Sequence, residues 1–285
     1  MPEHATTARR EPFGSRLAAA MTARGPLCVG IDPHPALLKG WGLDDDAAGL
    51  RRFSLTALEA VSQLAAAVKP QVALYERHGS AGMAVLEEVL AEARDQKVLT
   101  IADAKRGDIG STMAAYADAW LRDGSPLAAD SVTLSPYLGF ESLRPALDLA
   151  AETGRGVFVL ALTSNPEGAS VQHAGGADSV ARRITTAAAA ENDRYEGSLG
   201  SVGLVVGATV GNALDDLGLD LAAVRGPILA PGLGAQGATG ADLLATFGAA
   251  YPLVLGTSSR DILAAGPESV RLREAALRTL EGLRG

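Results

Sequence analysis

Short, continuous apolar runs rich in Val, Ile, Leu and Ala recur along the chain, beginning near Leu27, Ala66, Lys97, Asp130, Gly156, Gly203, Pro227 and Tyr251. Continuous apolarity, rather than strict alternation, is the pattern of strands buried on both faces, as in a parallel sheet. Between these runs, apolar residues fall at helical spacing over 50–64, 84–93, 112–121 and 143–150. The stretch 179–190 is Ala-rich, 240–247 is a short helical segment, and 268–283 closes the chain. Strand and helix thus alternate eight times with no Gly/Ser-rich linker between them, which predicts one (β/α)8 barrel domain over residues 1–285. A doubly wound sheet usually has fewer strands and would leave two open edges. Residues 1–26 read as an N-terminal helical extension packed on the body. The apolar stretch 17–23 ends at Arg24 and is too short for a membrane span, and Glu3 and Glu11 argue against a secretory leader.

Such a barrel places its chemistry at the C-terminal ends of the strands. The residues found there are Asp32, Lys69, 103–108, Ser135, 163–165, Thr209, 231–237 and 258–260. The most informative segment is Leu99-Thr-Ile-Ala-Asp-Ala-Lys-Arg-Gly-Asp-Ile-Gly-Ser-Thr112. Asp103 and Lys105 are two apart on a strand, so both face the lumen. The preceding strand adds a second cation in Val68-Lys69-Pro70, and Lys69, Asp103, Lys105 and Asp108 together sum to zero. Ion pairs that merely close the barrel mouth are the better reading of a lone Asp-x-Lys. Here Pro70 and the Gly107 turn give unusual backbone, a third carboxylate follows, and the later strands end in anion-binding chemistry. Gly-rich turns in Pro227-Ile-Leu-Ala-Pro-Gly-Leu-Gly-Ala-Gln-Gly237 let backbone N–H groups approach an anion. After the eighth strand, Arg260 can hold that anion bidentately. Gly232, Gly234 and Gly237 also satisfy G-x-G-x-x-G, but they follow the seventh strand and no acidic ribose ligand comes after them, so a dinucleotide fold fails its context test.

Composition narrows the function classes. The chain has 25 Lys and Arg against 33 Asp and Glu, a formal net charge of −8, and no long block of like charge. Nucleic acid and anionic membrane are therefore disfavoured as partners. One Cys permits no intrachain disulfide and no thiolate zinc cage, so a cytoplasmic location is the default. That Cys28 sits among Leu27 and Val29 as a small buried hydrophobe. The four His are scattered without metal-ligand spacing, His34 alone lying near a strand end as a rim contact, so neither a metal nor a cofactor is expected. Lys105 could form a Schiff base as barrel aldolases do, but flanking carboxylates favour its ammonium form, the opposite of what an amine nucleophile needs.

These residues resemble the orotidine 5′-phosphate decarboxylase family, in particular its longer bacterial branch, over nearly the whole chain. The carriers are Gly30-Ile-Asp-Pro33, Lys69-Pro-Gln-Val-Ala-Leu-Tyr-Glu76, Asp103-Ala-Lys-Arg-Gly-Asp-Ile-Gly-Ser-Thr112, Leu162-Thr-Ser-Asn-Pro166, Ala230-Pro-Gly-Leu-Gly-Ala-Gln-Gly237 and Ser259-Arg260. The resemblance implies cofactor-independent conversion of orotidine 5′-phosphate to UMP and CO2, the last step of UMP biosynthesis. Lys69, Asp103, Lys105 and Asp108 would be the family's charge tetrad. Asp103 would face the substrate carboxylate, and Lys105 would stabilise the carbanion and deliver the proton. Asp32 and Lys69 would hold the ribose hydroxyls and Ser164 would face the pyrimidine. Pro231, Gln236, Ser259 and Arg260 would surround the ring and phosphate. Asp108, Ile109 and Thr112 would reach into the site of a second subunit, making a homodimer. One departure is Ser259, where the shorter branch has Gly. Two rivals stand beside this reading: a Mg2+-dependent decarboxylase or aldolase acting on a keto-sugar phosphate, which wants another acidic ligand where this chain has Lys69, and a catalytically silent phosphosugar-binding barrel.

Overall fold

Eight parallel strands hydrogen-bond in sequence order and close on themselves: β1 (Leu27–Ile31), β2 (Ala67–Pro70), β3 (Leu99–Arg106), β4 (Ser131–Leu134), β5 (Gly156–Leu162), β6 (Val202–Val206), β7 (Ile228–Pro231) and β8 (Val254–Ser258). The computed structural model describes residues 10–195, 197, 199–234 and 237–284. Closure is made by β8 against β1, with Leu27 opposite Gly256 and Val29 opposite Ser258. The long helices are α1 (Phe13–Arg24), α2 (Ala47–Val61), α3 (Gly79–Asp95), α4 (Gly110–Leu121), α5 (Arg144–Thr153), α6 (Val180–Asn192), α7 (Gly240–Phe247) and α8 (Ser269–Arg284). The sixth strand is followed only by a short helical turn, Ala213–Asp216. Among the described residues no helix is long and apolar enough to cross a membrane.

All eight apolar runs become strands, and two begin more than one residue later than their runs for local reasons. Lys97 takes a left-handed conformation, φ 58°, in closing α3, so extended backbone starts at Leu99. Pro252, which lacks an N–H to give a ladder, lies in a 3-10 turn ahead of Val254.

The strand alternation sorts the core into two layers. Val29, Val68, Ala102, Val132, Leu204 and Ile228 pack outward against the helices. Cys28, Ala67, Ile101, Phe158, Val205, Leu229 and Leu255 fill the lumen. Phe13 and Leu17 of α1, both fully buried, join the lumen cluster and plug the end where the strands begin. Phe13 meets Phe158 edge to face at 6.0 Å and 86°. Gly156 makes that fit possible, since a Cβ there would lie 2.2 Å from the Phe13 ring. With the floor plugged, the lumen opens only at the strands' C-terminal ends.

Candidate active site

Asp103, 8 % exposed, is the centre of the open end. Its Oδ2 accepts from Lys69 Nζ at 2.8 Å and from Gln71 Nε2 at 3.0 Å, while Oδ1 accepts from Lys105 Nζ at 2.6 Å and from Thr133 Oγ1 at 3.0 Å. Four donors around one carboxylate satisfy it where water is excluded. Burial works against the charge of Asp103, but the Lys69 and Lys105 ammonium groups outweigh it and hold the carboxyl well below the usual carboxylate range. Burial likewise opposes the charge of Lys69, and Asp103 with Asp32 more than restores it, so its ammonium form is held above the usual lysine range. The result is a buried Lys69–Asp103 pair with the more exposed Lys105 ammonium held against it.

The backbone that builds it is irregular. β3 loses its regular pairing with β4 between Ala102 and Arg106, and Lys105 there adopts φ 48°, a conformation that L-residues with a Cβ rarely take. The Lys105 N–H donates to Thr133 Oγ1 at 2.9 Å. One hydroxyl on β4 therefore fixes both the strained Lys105 backbone and the Asp103 carboxylate. Next comes Gly107, where a Cβ would lie 2.3 Å from the Ser135 carbonyl oxygen, so only glycine lets the chain pass β4.

A cavity of about 270 Å³ lies over these groups. Asp32, Lys69, Asp103 and Lys105 make one wall, and Leu160, Val205 and Leu229 make an apolar floor. Pro231, Gly232, Ser259 and Arg260 line its far end. Three buried acceptor-capable atoms around it, Asp32 Oδ1, Thr257 Oγ1 and Ser259 Oγ, have no hydrogen-bond partner among the described residues. Arg260 is exposed and forms no ion pair among them. Gly232 and Gly234 stand at φ 118° and 74°, conformations that favour glycine, and Gly232 lines the cavity with Arg260. The arrangement can hold a molecule with a phosphate at one end, hydroxyls in the middle and a planar group between charged wall and apolar floor.

Among the residues expected here, Asp32, Lys69, Asp103, Lys105, Pro231, Ser259 and Arg260 come together around the cavity. Asp108 does not: it is half-buried, its Oδ1 accepts the Ile109 N–H at 2.7 Å, and it does not line the cavity. Ile109 is 62 % exposed, and Thr112 on the first turn of α4 is exposed as well. Ser164 is exposed just past β5, and its neighbour Thr163 lines the cavity instead. Gln236 lies outside the described residues. His34 is exposed, away from the cavity, and the buried Cys28 thiol is pushed up to about 12 by desolvation. Gln71, Thr133 and Thr257 escaped the sequence reading. Each lies two residues along a strand from a residue that reading singled out (Lys69, Ser135 and Ser259), so the strand period alone would have found them.

Fold and site together define a (β/α)8 barrel with a charged, phosphate-sized mouth. The chain matches the model of the Orotidine 5′-phosphate decarboxylase / HUMPS family over residues 25–274 and belongs to that family. It is 56 % identical to a Salinispora arenicola protein named orotidine 5′-phosphate decarboxylase, over 96 % of this chain and 98 % of that one. A Streptomyces coelicolor protein of the same name is 57 % identical, covering 93 % and 95 %. A crystal structure assigned to the same enzyme from Streptomyces avermitilis superposes with a TM-score of 0.93 at 56 % identity, covering 99 % and 98 %.

Proposed function

We propose that the chain decarboxylates orotidine 5′-phosphate to UMP, the last step of UMP biosynthesis, using fixed charges alone. The observation that carries this reading is the Lys69–Asp103–Lys105 charge array, its first two members buried, facing a cavity with Arg260 at its far end, in a chain of this family. Loss of CO2 from carbon 6 of orotate leaves an electron pair in the ring plane, which the π system cannot delocalise. Preoriented charge must stabilise it.

Asp103 stands against the substrate carboxylate. Two like charges about 4 Å apart at an effective dielectric near 20 repel by roughly 4 kcal/mol, and that repulsion ends as CO2 leaves. Lys105, held at 2.6 Å from Asp103, stabilises the carbanion and then protonates carbon 6. Asp32, whose buried Oδ1 has no donor among the described residues, and Lys69 take the ribose hydroxyls. Ser164, next to the cavity-lining Thr163, is assigned to the pyrimidine, while Pro231, Gln236, Ser259 and Arg260 surround the ring and phosphate. Binding energy from the phosphate offsets the cost of seating a carboxylate beside Asp103.

The chain acts as a cytoplasmic homodimer of single barrel domains, residues 1–26 forming each N-terminal extension, and Asp108, Ile109 and Thr112 complete the partner's site. Supporting this are the outward placement of those three residues and the exposure near the same mouth of Tyr137 (78 %) and Leu138 (54 %). On the rival Mg2+ reading, the end of β2 should offer an acidic ligand, and it offers Lys69 and Gln71. The test is loss of orotate absorbance when orotidine 5′-phosphate meets EDTA-treated protein. Turnover under those conditions supports the reading; absence of turnover, or turnover restored only by Mg2+, overturns it.

A further inference from the structure

At the end of the barrel opposite the charged mouth, five cations surround a cavity of about 280 Å³: Arg10, Arg16, Arg94, Lys97 and Arg155. Asp130 is the one acid lining it among the described residues. This concentration of positive charge stands out in a chain whose formal net charge is −8. The acids at hand are already engaged. Asp130 accepts from the Arg16 guanidinium and from both the N–H and the hydroxyl of Thr100, and Asp123 is shared by Arg10 and Arg155. Arg94 and Lys97 form no ion pair among the described residues.

Two further features bear on what this cavity can hold. Arg155 is 6 % exposed and lines the cavity; its terminal nitrogens donate to the Ala129 carbonyl and to Asp123, and its buried Nε has no acceptor among the described residues. Burial, reinforced by the Arg10 charge, lowers its tendency to stay protonated despite Asp123. Lys97 holds φ 58° directly after α3, where glycine is the residue of lowest strain. The turn that closes this helix, with the Val98 N–H on the Ala93 carbonyl, leaves Lys97 lining the cavity with no ion pair among the described residues.

We propose that this cavity is a second anion site, distinct from the barrel mouth, that takes a small phosphate-bearing molecule through Arg94 and Lys97, backed by the charge of the buried Arg155. Guanidinium forks match phosphate oxygens in geometry as well as charge. The volume suits a phosphate or pyrophosphate with a short substituent, and the negative remainder of the chain repels a nucleic-acid polymer. Arg10 and Arg16 flank Phe13, the residue that plugs the lumen, so an anion bound there also tightens the plug and raises stability.

The test is thermal melting of the full chain carrying Arg260→Gln, which removes the guanidinium at the mouth, titrated with inorganic pyrophosphate. The expected result is a concentration-dependent rise in Tm whose midpoint moves by about tenfold or more on adding Lys97→Gly or Arg94→Gln, the loss of one charged hydrogen bond. Lys97→Gly should melt no lower than its parent without pyrophosphate, because glycine suits the left-handed backbone, and Arg94→Lys should keep the response. Repeating the titration with inorganic phosphate and with glycerol 3-phosphate shows, by the lower midpoint, whether the site favours an inorganic anion or an organic ester. No rise in Tm, or the same titration whichever cation is removed, overturns the proposal.

Discussion

Asp103 shows how little freedom the central residue has. Each of its oxygens takes two donors, and the two ammonium groups sit on opposite sides, at 2.8 and 2.6 Å. Its carboxyl is held below the ordinary range, so the stability its ionisation contributes is fully present above about pH 4 and is lost as pH falls through the lower folded value. Lys69 works in the other direction: its contribution is complete below about pH 10 and is lost only as pH rises through its raised value. An NMR titration of the Asp103 carboxyl carbon should therefore show it ionised down to at least about pH 3. A midpoint at or above the usual carboxylate value would mean that the lysines do not hold it. In the proposed mechanism Lys105 protonates carbon 6, and this cavity-lining side chain is 47 % exposed. Lys105→Ala should lower kcat by many orders of magnitude while UMP, which lacks the carboxylate, still binds. Near-normal kcat in that variant would remove Lys105 from the mechanism.

At the scale of elements, the irregular end of β3 depends on β4. Thr133→Val keeps the shape but deletes both the hydroxyl bond to Asp103 and the acceptor for the Lys105 N–H. Losing a hydrogen bond to a charged group is worth about 1.5–3 kcal/mol. We expect kcat/KM to fall by about 10- to 100-fold with no comparable loss of UMP affinity; an unchanged kcat/KM would show that the strained backbone holds itself. The α1 plug is a matter of stability. Phe13→Ala should cost about 3–5 kcal/mol in denaturant unfolding and leave kcat nearly unaltered, because the removed ring lies at the floor, away from the cavity residues.

These two elements also mark what could be read from the chain. The strands were legible because burial on both faces writes continuous apolar runs, and Asp103 with Lys105 was legible as a charged pair two apart at a strand end, although an irregular, left-handed backbone rather than regular alternation brings Lys105 to the cavity. The positive φ of Lys105 was not, since nothing in a lysine announces left-handed backbone. Nor was the bridging role of Thr133, which depends on the register between two strands. Phe13 reads as an ordinary helix residue until Gly156 is seen to vacate the space for it.

On the scale of the whole molecule, one chain brings together three of the four charges of the expected tetrad and turns the fourth away. Asp108 follows the Gly107 turn, does not line its own cavity and caps its own loop, beside exposed Ile109. A second subunit packed on this mouth would supply Asp108 to the array and close the cavity to water, which strengthens every charge interaction within it. The account therefore requires that each working site draw Lys105 from one chain and Asp108 from the other. The most direct test mixes Lys105→Ala and Asp108→Ala homodimers, each nearly inactive alone, and follows decarboxylation of orotidine 5′-phosphate. In a mixed dimer one site carries both changes and the other carries neither. Exchange at equal concentrations should restore roughly a quarter of wild-type activity per site, since half the dimers are mixed and half of their sites are intact. Differently tagged chains that demonstrably exchange and yet regain no activity would contradict it, placing Asp108 in the service of its own barrel.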